Sequence, residues 1–232
     1  NYSDAIANLS AIASDGRLGQ PAMIAMSDIA NESQKFTEAA SILEQAIAIN
    51  PEDGYLYKLL GDSYRRSSDY KKSYEAYETA FKKGHSTSNL HRNLGVTLER
   101  LDQTEAAEKH LKIALEMNPD DAFALNYLGY WWADQGRNLD EAIALIERAV
   151  ELRPDSGYFV DSLGWVHFRL GKAKTAVRFL EQATELEPAD SEITGHLGDV
   201  YWHLGRRSEA QFKWRLAISL SETQSEKDKF RE

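Results

Sequence analysis

Glycine recurs along this chain at an almost constant interval. Gly61, Gly95, Gly129, Gly164 and Gly198 are separated by 34, 34, 35 and 34 residues, and prolines recur with the same period. Periodicity of this kind indicates one small supersecondary unit used many times, because such a unit cannot bury its apolar face without copies of itself.

The residues around each glycine repeat as well. In one copy Leu163-Gly164 is followed by His167, then by Ala176 and Leu180. Leu, Gly and the residue three positions later fall on one helical face, and the alanine and leucine fall on a second. Glycine and alanine allow two helices to approach closely, and a proline after the second helix prevents it from continuing. Each unit is therefore predicted to be a pair of helices.

This pattern resembles the tetratricopeptide repeat (TPR) family. The resemblance implies an all-α fold, a right-handed superhelix (α-solenoid) of about six full repeats plus a partial N-terminal one. Six copies in phase make an unrelated helical bundle a poor alternative. The predicted segments are the second helix of a truncated repeat (1–19), full repeats at 20–53, 54–87, 88–121, 122–156, 157–190 and 191–224, and the start of a polar capping helix or tail (225–232). The fourth repeat carries a one-residue insertion near residues 136–139, and the sequence is expected to begin inside an array.

Composition narrows the function classes. The formal net charge of −10 argues against nucleic acid as a general partner, which requires a basic surface. No apolar run reaches the ~18–20 residues of a membrane span. The chain has no cysteine and contains no HExxH, glycine-rich phosphate loop or GxSxG motif. We therefore predict a non-catalytic protein without cofactor or metal.

The resemblance implies that a protein or peptide ligand binds the concave groove lined by the first helix of each repeat. Helical spacing then selects two groups of groove residues. A basic group in repeats two and three comprises Lys58, Arg65, Arg66, Arg92 and Arg100, and an aromatic group in repeats four to six comprises Phe123, Tyr127, Tyr130, Tyr158, Trp165, Phe168 and Trp202. Aromatic and arginine side chains dominate binding hot spots. The competing interpretation is that some aromatics are half-core and that Asp62 and Glu99 neutralise the basic group.

One known use of such a groove, the carboxylate clamp of TPR co-chaperones, is not expected. Lys58 and Asn93 fit that clamp, but Asp62, Phe123 and Tyr127 occupy positions where asparagine, lysine and arginine are required. Asp62 would repel the carboxylate.

The histidines suggest little chemistry. His196, Asp199 and His203 share one helix face and could ligate a metal, although three such groups usually do not act together. His167 replaces a core tyrosine and is expected to be a buried, hydrogen-bonded histidine.

The stretch 126–220 is more specific. Its segments NYLGYWWADQGRNLDEAIALIERAVELRP, DSLGWVHFRLGK and HLGDVYWHLGRR resemble the C-terminal repeats of long proteobacterial cell-envelope TPR proteins. Among these are adaptor lipoproteins of a carboxy-terminal processing protease. The resemblance implies an adaptor in the periplasm or at the outer membrane, with a cytoplasmic location left open. The alternative is a scaffold that self-assembles through its repeat ends, with weak self-association through the apolar face of Ile6, Leu9 and Ile12.

Overall fold

The computed structural model describes residues 2–13, 18–221 and 223–229. Within these ranges the regular structure consists of fourteen α-helices and no strand, which confirms the predicted all-α fold class. The chain divides into two compact units, Asn1–Asn118 and Pro119–Glu232, called unit 1 and unit 2 below.

The helices are short and similar in length. Those of unit 1 are α1 (Tyr2–Ala13), α2 (Gly19–Glu32), α3 (Phe36–Ile49), α4 (Gly54–Arg66), α5 (Tyr70–Lys82), α6 (Ser88–Glu99) and α7 (Thr104–Met117). Those of unit 2 are α8 (Ala122–Asp134), α9 (Leu139–Leu152), α10 (Gly157–Arg169), α11 (Ala173–Leu186), α12 (Ser191–His203), α13 (Arg207–Leu220) and α14 (Gln224–Lys229). None of the described helices is long and apolar enough to cross a membrane. The predicted repeat boundaries stay a prediction.

Helices α2 to α13 form six successive pairs, α2 with α3 through α12 with α13. Each pair is joined by three or four residues, too few for anything but an antiparallel turn. Every such turn contains a residue with a positive φ at an equivalent position: Gln34, Ser68, Asp102, Gly136, Gly171 and Gly205. The turn between α8 and α9 has a second one, Asn138. The backbone N–H that follows the equivalent position donates to the carbonyl oxygen five residues earlier, as Asp69 N does to Tyr64 O at 2.9 Å. This is the Schellman ending, which satisfies the last carbonyls of the first helix.

Most first helices of these pairs also begin with a side-chain cap. Asp53, Thr87, Asp121 and Asp190 each accept a hydrogen bond from backbone N–H groups in the first turn of α4, α6, α8 and α12, respectively. Each cap is worth about 1 kcal/mol. The signals that start and end these helices thus both come from residues next to the helix ends.

The core of each pair is built where the recurring glycine meets the second helix. A Cβ on Gly95, Gly129 or Gly164 would lie 2.7 Å from a side-chain carbon of Leu111, Ile146 or Leu180, respectively. Those aliphatic side chains are fully buried. The prediction that these glycines permit close helix contact is therefore supported in both units.

Two pairs use an aromatic residue instead of an aliphatic one. The Tyr77 ring packs on Gly61, and its hydroxyl donates to Asp62 Oδ1 at 2.6 Å. The Trp214 ring packs on Gly198, and its Nε1 donates to Asp199 Oδ1 at 2.9 Å. A buried polar tip requires a partner, and the residue after the glycine provides it in both pairs.

Candidate partner-binding face

Within each unit the first helices contact one another, α2 with α4 and α4 with α6 in unit 1, and α8 with α10 and α10 with α12 in unit 2. These surfaces are called the first-helix face of unit 1 and of unit 2. They carry all the predicted groove residues.

Three aromatic side chains on the first-helix face of unit 2 are strongly exposed. The exposed fractions are 52% for Phe123, 54% for Tyr158 and 40% for Trp202. Arginines flank two of the rings: the Arg153 guanidinium lies 5.3 Å from the Phe123 ring centre, and that of Arg207 lies 4.2 Å from the Trp202 ring centre. Large exposed aromatics are costly to leave in water and are typical of binding surfaces.

A cavity of about 170 Å³ opens on the same face. It is lined by residues from the first helices of three successive pairs and the turn before the last of them: Asn126, Tyr127, Tyr130, Tyr158, Asp161, Ser162, Asp190, Glu192, Ile193 and His196. Three of the seven predicted aromatic groove residues are therefore brought together here. Small-molecule sites usually measure about 300–1,000 Å³, so this cavity suits a single side chain.

A buried ion pair forms one wall of the cavity. His196 Nδ1 lies 3.0 Å from both carboxylate oxygens of Asp161, and both side chains are buried. Burial alone lowers the pKa of His196, but the carboxylate of Asp161, with Glu192 and Asp199, outweighs that effect and raises the pKa to about 9. The Trp165 ring stacks on the imidazole with ring centres 4.2 Å apart. The imidazole is thus held as a cation in a fixed orientation.

The charge that remains at the cavity is negative. Asp161 and His196 offset each other, whereas Asp190 and Glu192 add two carboxylates, and no lysine or arginine among the described residues lines the cavity. The pKa of Tyr158 is raised by burial first and then by the charges of Asp190 and Glu187. Burial and the local field therefore both keep this phenol neutral.

The remaining predicted aromatics have different surroundings. Trp165 and Phe168 are half-buried and contact each other with ring centres 5.4 Å apart. Phe168 also meets His203 edge-on at 5.3 Å. Neither Trp165 nor Phe168 lines the cavity, so these two residues mainly support the face. The half-core interpretation therefore applies to them.

The suggested metal ligands are directed to separate partners. His196 contacts Asp161, Asp199 accepts from Trp214, and His203 packs on an aromatic ring. Among the residues described, no group of three or more His, Cys, Asp or Glu side chains could hold a metal ion.

Asp62 is the central acceptor on the first-helix face of unit 1. It receives Tyr77 Oη at 2.6 Å, Asn93 Nδ2 at 2.8 Å and the Lys58 ammonium at 2.7 Å. Arg65 lies beside the Tyr77 hydroxyl. Lys58 and Asn93, the two residues that fit a carboxylate clamp, are therefore both engaged by Asp62.

The other predicted basic residues are partly neutralised as well. Arg100 Nε lies 3.3 Å from Glu99, and Arg92 Nε donates to Asn93 Oδ1 at 3.4 Å. Arg66 is exposed, with its guanidinium 5.2 Å from the Phe36 ring centre. The basic group is thus a set of paired or stacked side chains, of which Arg66 and Arg100 are exposed.

Two histidine environments were not expected. His167 is half-buried and stacked on Phe179 at 5.3 Å, and its buried Nδ1 finds no hydrogen-bond partner in the described structure. The prediction of a hydrogen-bonded histidine is therefore wrong for Nδ1, because ring stacking fixes the side chain. In unit 1, His91 Nδ1 and His110 Nδ1 lie 2.9 Å apart. Burial, and then the charges of His91 and Lys109, lower the pKa of His110 to about 4.

A larger hollow in unit 1 has a volume of about 590 Å³, but all its lining residues come from α7, between residues 105 and 116. A hollow along one exposed helix flank encloses nothing. It therefore offers no convergent groups for a ligand.

These features define the class of protein: an array of paired helices whose first-helix face in unit 2 carries exposed aromatic side chains. A family model for the tetratricopeptide repeat matches residues 24–86, 92–157 and 162–214. The chain therefore belongs to the tetratricopeptide repeat family, whose members generally mediate protein–protein interactions as scaffolds or adaptors and are typically non-catalytic.

Among known proteins, the chain is 33% identical over 159 residues to "TPR repeat-containing protein PA4667" of Pseudomonas aeruginosa, covering 68% of this chain and 27% of that protein. It is 22% identical over 119 residues to anaphase-promoting complex subunit 3 of Schizosaccharomyces pombe, covering 51% of this chain and 18% of that protein. The chain thus spans about a quarter or less of the length of these relatives.

Solved structures show the same fold. The Cut9–Hcn1 hetero-tetramer aligns with a TM-score of 0.82 at 18% identity, covering 100% of this chain and 47% of that one. YrrB, described as a TPR protein with an unusual peptide-binding site, aligns with a TM-score of 0.57 at 21% identity, covering 78% of this chain and 92% of that one. At these identities the likeness shows the fold alone.

Proposed function

We propose that this chain is a non-catalytic adaptor that binds a segment of a partner protein on the first-helix face of unit 2, in the bacterial cell envelope. The observation that carries the proposal is the set of exposed aromatics, Phe123, Tyr158 and Trp202, on the same face as the cavity. The similarity to a Pseudomonas protein supports the bacterial setting, and the resemblance of residues 126–220 to envelope proteins supports the location.

The binding test uses side chains whose removal spares the core. Tyr158→Ala and Phe123→Ala remove exposed rings, whereas Trp165→Ala would also remove the ring that stacks on His196. Phe212→Ala is the matched control, because Phe212 is 63% exposed but lies on α13, a second helix. An array of peptides from envelope proteins is probed with each variant.

We expect Tyr158→Ala or Phe123→Ala to weaken the bound peptides by about 2 kcal/mol, roughly 30-fold, mainly through faster dissociation. Phe212→Ala should bind like wild type. Arg66→Ala, in unit 1, should cost less and lose its effect at high salt, because an exposed charge is screened. Unchanged binding by the double variant Tyr158→Ala/Phe123→Ala would refute the proposed surface.

Self-association through the repeat ends is the second candidate. No side chain of helix α1 is fully buried: Ile6 and Leu9 are half-buried, and Ile12 is 41% exposed. Sedimentation of the chain with and without residues 1–19 distinguishes the two candidates. A concentration-dependent dimer that disappears on truncation, together with no peptide binding, would favour the scaffold.

A further inference from the structure

We infer that the cavity of unit 2 receives an arginine side chain of the partner polypeptide. The inference rests on the proposed function and deepens it, since it names the residue that the face selects. It is carried by the shape of the cavity, the charge of its lining and the aromatic rings beside that charge.

The size of the cavity sets the first limit. At about 170 Å³ it has room for several waters at ~30 Å³ each, and it is smaller than ordinary small-molecule pockets. One long side chain entering from an extended segment matches this volume. A whole metabolite does not.

The charge of the lining selects a cation. Asp190 and Glu192 contribute two carboxylates that no lysine or arginine in the lining offsets. Asp161 is paired with His196 through one ring nitrogen, but a carboxylate has about four acceptor sites, so it can accept further N–H donors. A cation with several donors therefore has more than one acceptor to reach.

The arrangement of these groups favours guanidinium over a metal ion or an ammonium group. No three acidic or histidine groups in the described residues are close enough to hold a metal ion. The carboxylates are instead accompanied by the rings of Tyr127, Tyr130 and Tyr158. A planar guanidinium can stack on an aromatic ring while donating in its plane to carboxylates, which a compact ammonium cannot do.

The buried pair beside the cavity keeps its geometry fixed before a ligand arrives. His196 is held between Asp161 at 3.0 Å and the Trp165 ring at 4.2 Å. A site whose walls are already ordered loses less entropy on binding. The ion pair thus acts as a support for the site, while Asp190 and Glu192 supply its net charge.

The first experiment titrates the protein with N-acetyl-arginine methylamide and follows amide and indole NMR signals. The matched probe is N-acetyl-citrulline methylamide, which has nearly the same shape and no charge. We expect saturable shifts around the cavity with the arginine probe, and at least about fivefold weaker binding of the citrulline probe. N-acetyl-lysine methylamide should bind with intermediate strength. Equal response to arginine and citrulline, or no saturable shift near the cavity with arginine, would overturn the inference.

The variants that test the site keep its structure. Asp190→Asn retains the cap of α12, because asparagine caps as well as aspartate, and Glu192→Gln changes an exposed side chain. The double variant should lose the preference for arginine over citrulline. The control Glu141→Gln/Glu185→Gln changes the net charge equally on exposed positions of α9 and α11 and should keep it.

The peptide array separates the two proposals. If peptides bind and Tyr158→Ala weakens them, but arginine-to-citrulline replacement in those peptides has no effect, the adaptor proposal stands and the arginine inference fails. If no peptide binds while the arginine probe still titrates the cavity, the cation site stands and the adaptor proposal fails.

Discussion

The contact between Gly164 and Leu180 makes a sharp test of how these helices pack. A Cβ added at Gly164 would lie 2.7 Å from Leu180 Cγ and 3.0 Å from its Cδ2. Carbon atoms pack best at about 3.5–4.0 Å, so the leucine would have to move by roughly 1 Å. Leu180 is fully buried, and forced shifts of this kind in a filled core cost about 1–3 kcal/mol.

Two opposing effects decide the sign for Gly164→Ala. Alanine is favoured over glycine within a helix by about 1 kcal/mol, so against a packing cost of about 1–3 kcal/mol the net loss in the wild-type background should be about 0–2 kcal/mol. Leu180→Ala alone should cost about 2–5 kcal/mol through the cavity it leaves. In that background the clash is gone. Gly164→Ala should then stabilise by about 1 kcal/mol, which reverses its sign.

The assay is urea unfolding followed by tryptophan fluorescence. All five tryptophans lie in unit 2, between residues 131 and 214, so the signal reports the unit that carries the mutations. The four proteins of the cycle should show a coupling of about 1–3 kcal/mol between Gly164 and Leu180. The same change in stability for Gly164→Ala in both backgrounds would mean that the glycine is not required by this contact.

Further predictions concern turns and titration. Ser68→Gly should stabilise by about 0.5–1 kcal/mol in a thermal melt, because Ser68 holds a φ of 61° that glycine adopts freely, whereas Gly171→Ala at the equivalent turn should destabilise by a similar amount. Because the pKa of His196 is raised to about 9, its pairing with Asp161 stabilises the fold fully below about pH 6.5. This contribution, up to about 3 kcal/mol, is lost as the pH rises through about 9. His196→Gln should therefore flatten the alkaline limb of a plot of unfolding free energy against pH. The lowered pKa of His110 has the opposite effect. The stability that comes from burying its neutral imidazole is fully present above about pH 6.5 and is lost as the pH falls through about 4. Since His110 is only half-buried, about 1–2 kcal/mol is expected, and His110→Phe should remove this acid limb.

The fold could be predicted because its signals are local and periodic. Glycine, leucine and alanine at fixed offsets identify which faces meet, and six copies in phase average out exceptions such as Ser27 in place of glycine. The sequence indicates the left-handed turn residues less clearly. Gln34, Ser68 and Asp102 occupy the same left-handed position as Gly171, but only glycine marks it plainly in a sequence.

The sequence analysis does not predict the ion pair between His196 and Asp161, although the repeat period of 34 or 35 residues could have indicated it. His196 was grouped with Asp199 and His203 because these residues share one helix. The structure instead pairs it with Asp161, 35 residues earlier on the preceding first helix. Asn93 and Asp62, 31 residues apart, show the same relation between neighbouring first helices. Polar residues separated by about one period are therefore stronger candidates for contact than residues one turn apart.

The choice of core residue on the second helix also determines which first-helix positions are free to bind. Where the second helix supplies an aromatic with a polar tip, the residue after the glycine must be an acceptor, and Asp62 and Asp199 are occupied in that way. Where the second helix supplies Ile146 or Leu180, the residue after the glycine does not have to accept a hydrogen bond from the core side chain. In unit 2 these residues are Tyr130 and Trp165. Tyr130 lines the cavity and Trp165 stacks on the imidazole beside it.

An aliphatic core contact beneath a first helix thus leaves its outer face available for aromatic residues. This relation accounts for the aromatic residues that directly follow the glycine, Tyr130 on α8 and Trp165 on α10. It also predicts where a designed change would matter. Leu180→Trp would introduce an indole N–H under Trp165, which offers no acceptor, and the buried donor would cost about 1–3 kcal/mol beyond the packing strain. Adding Trp165→Asp should recover part of that loss by recreating the Trp214–Asp199 arrangement, at the expense of the ring that orders His196. Compared with Leu180→Trp alone, the double variant should be more stable but should bind arginine more weakly. This outcome is expected if the core contact and the binding face require different residues at position 165.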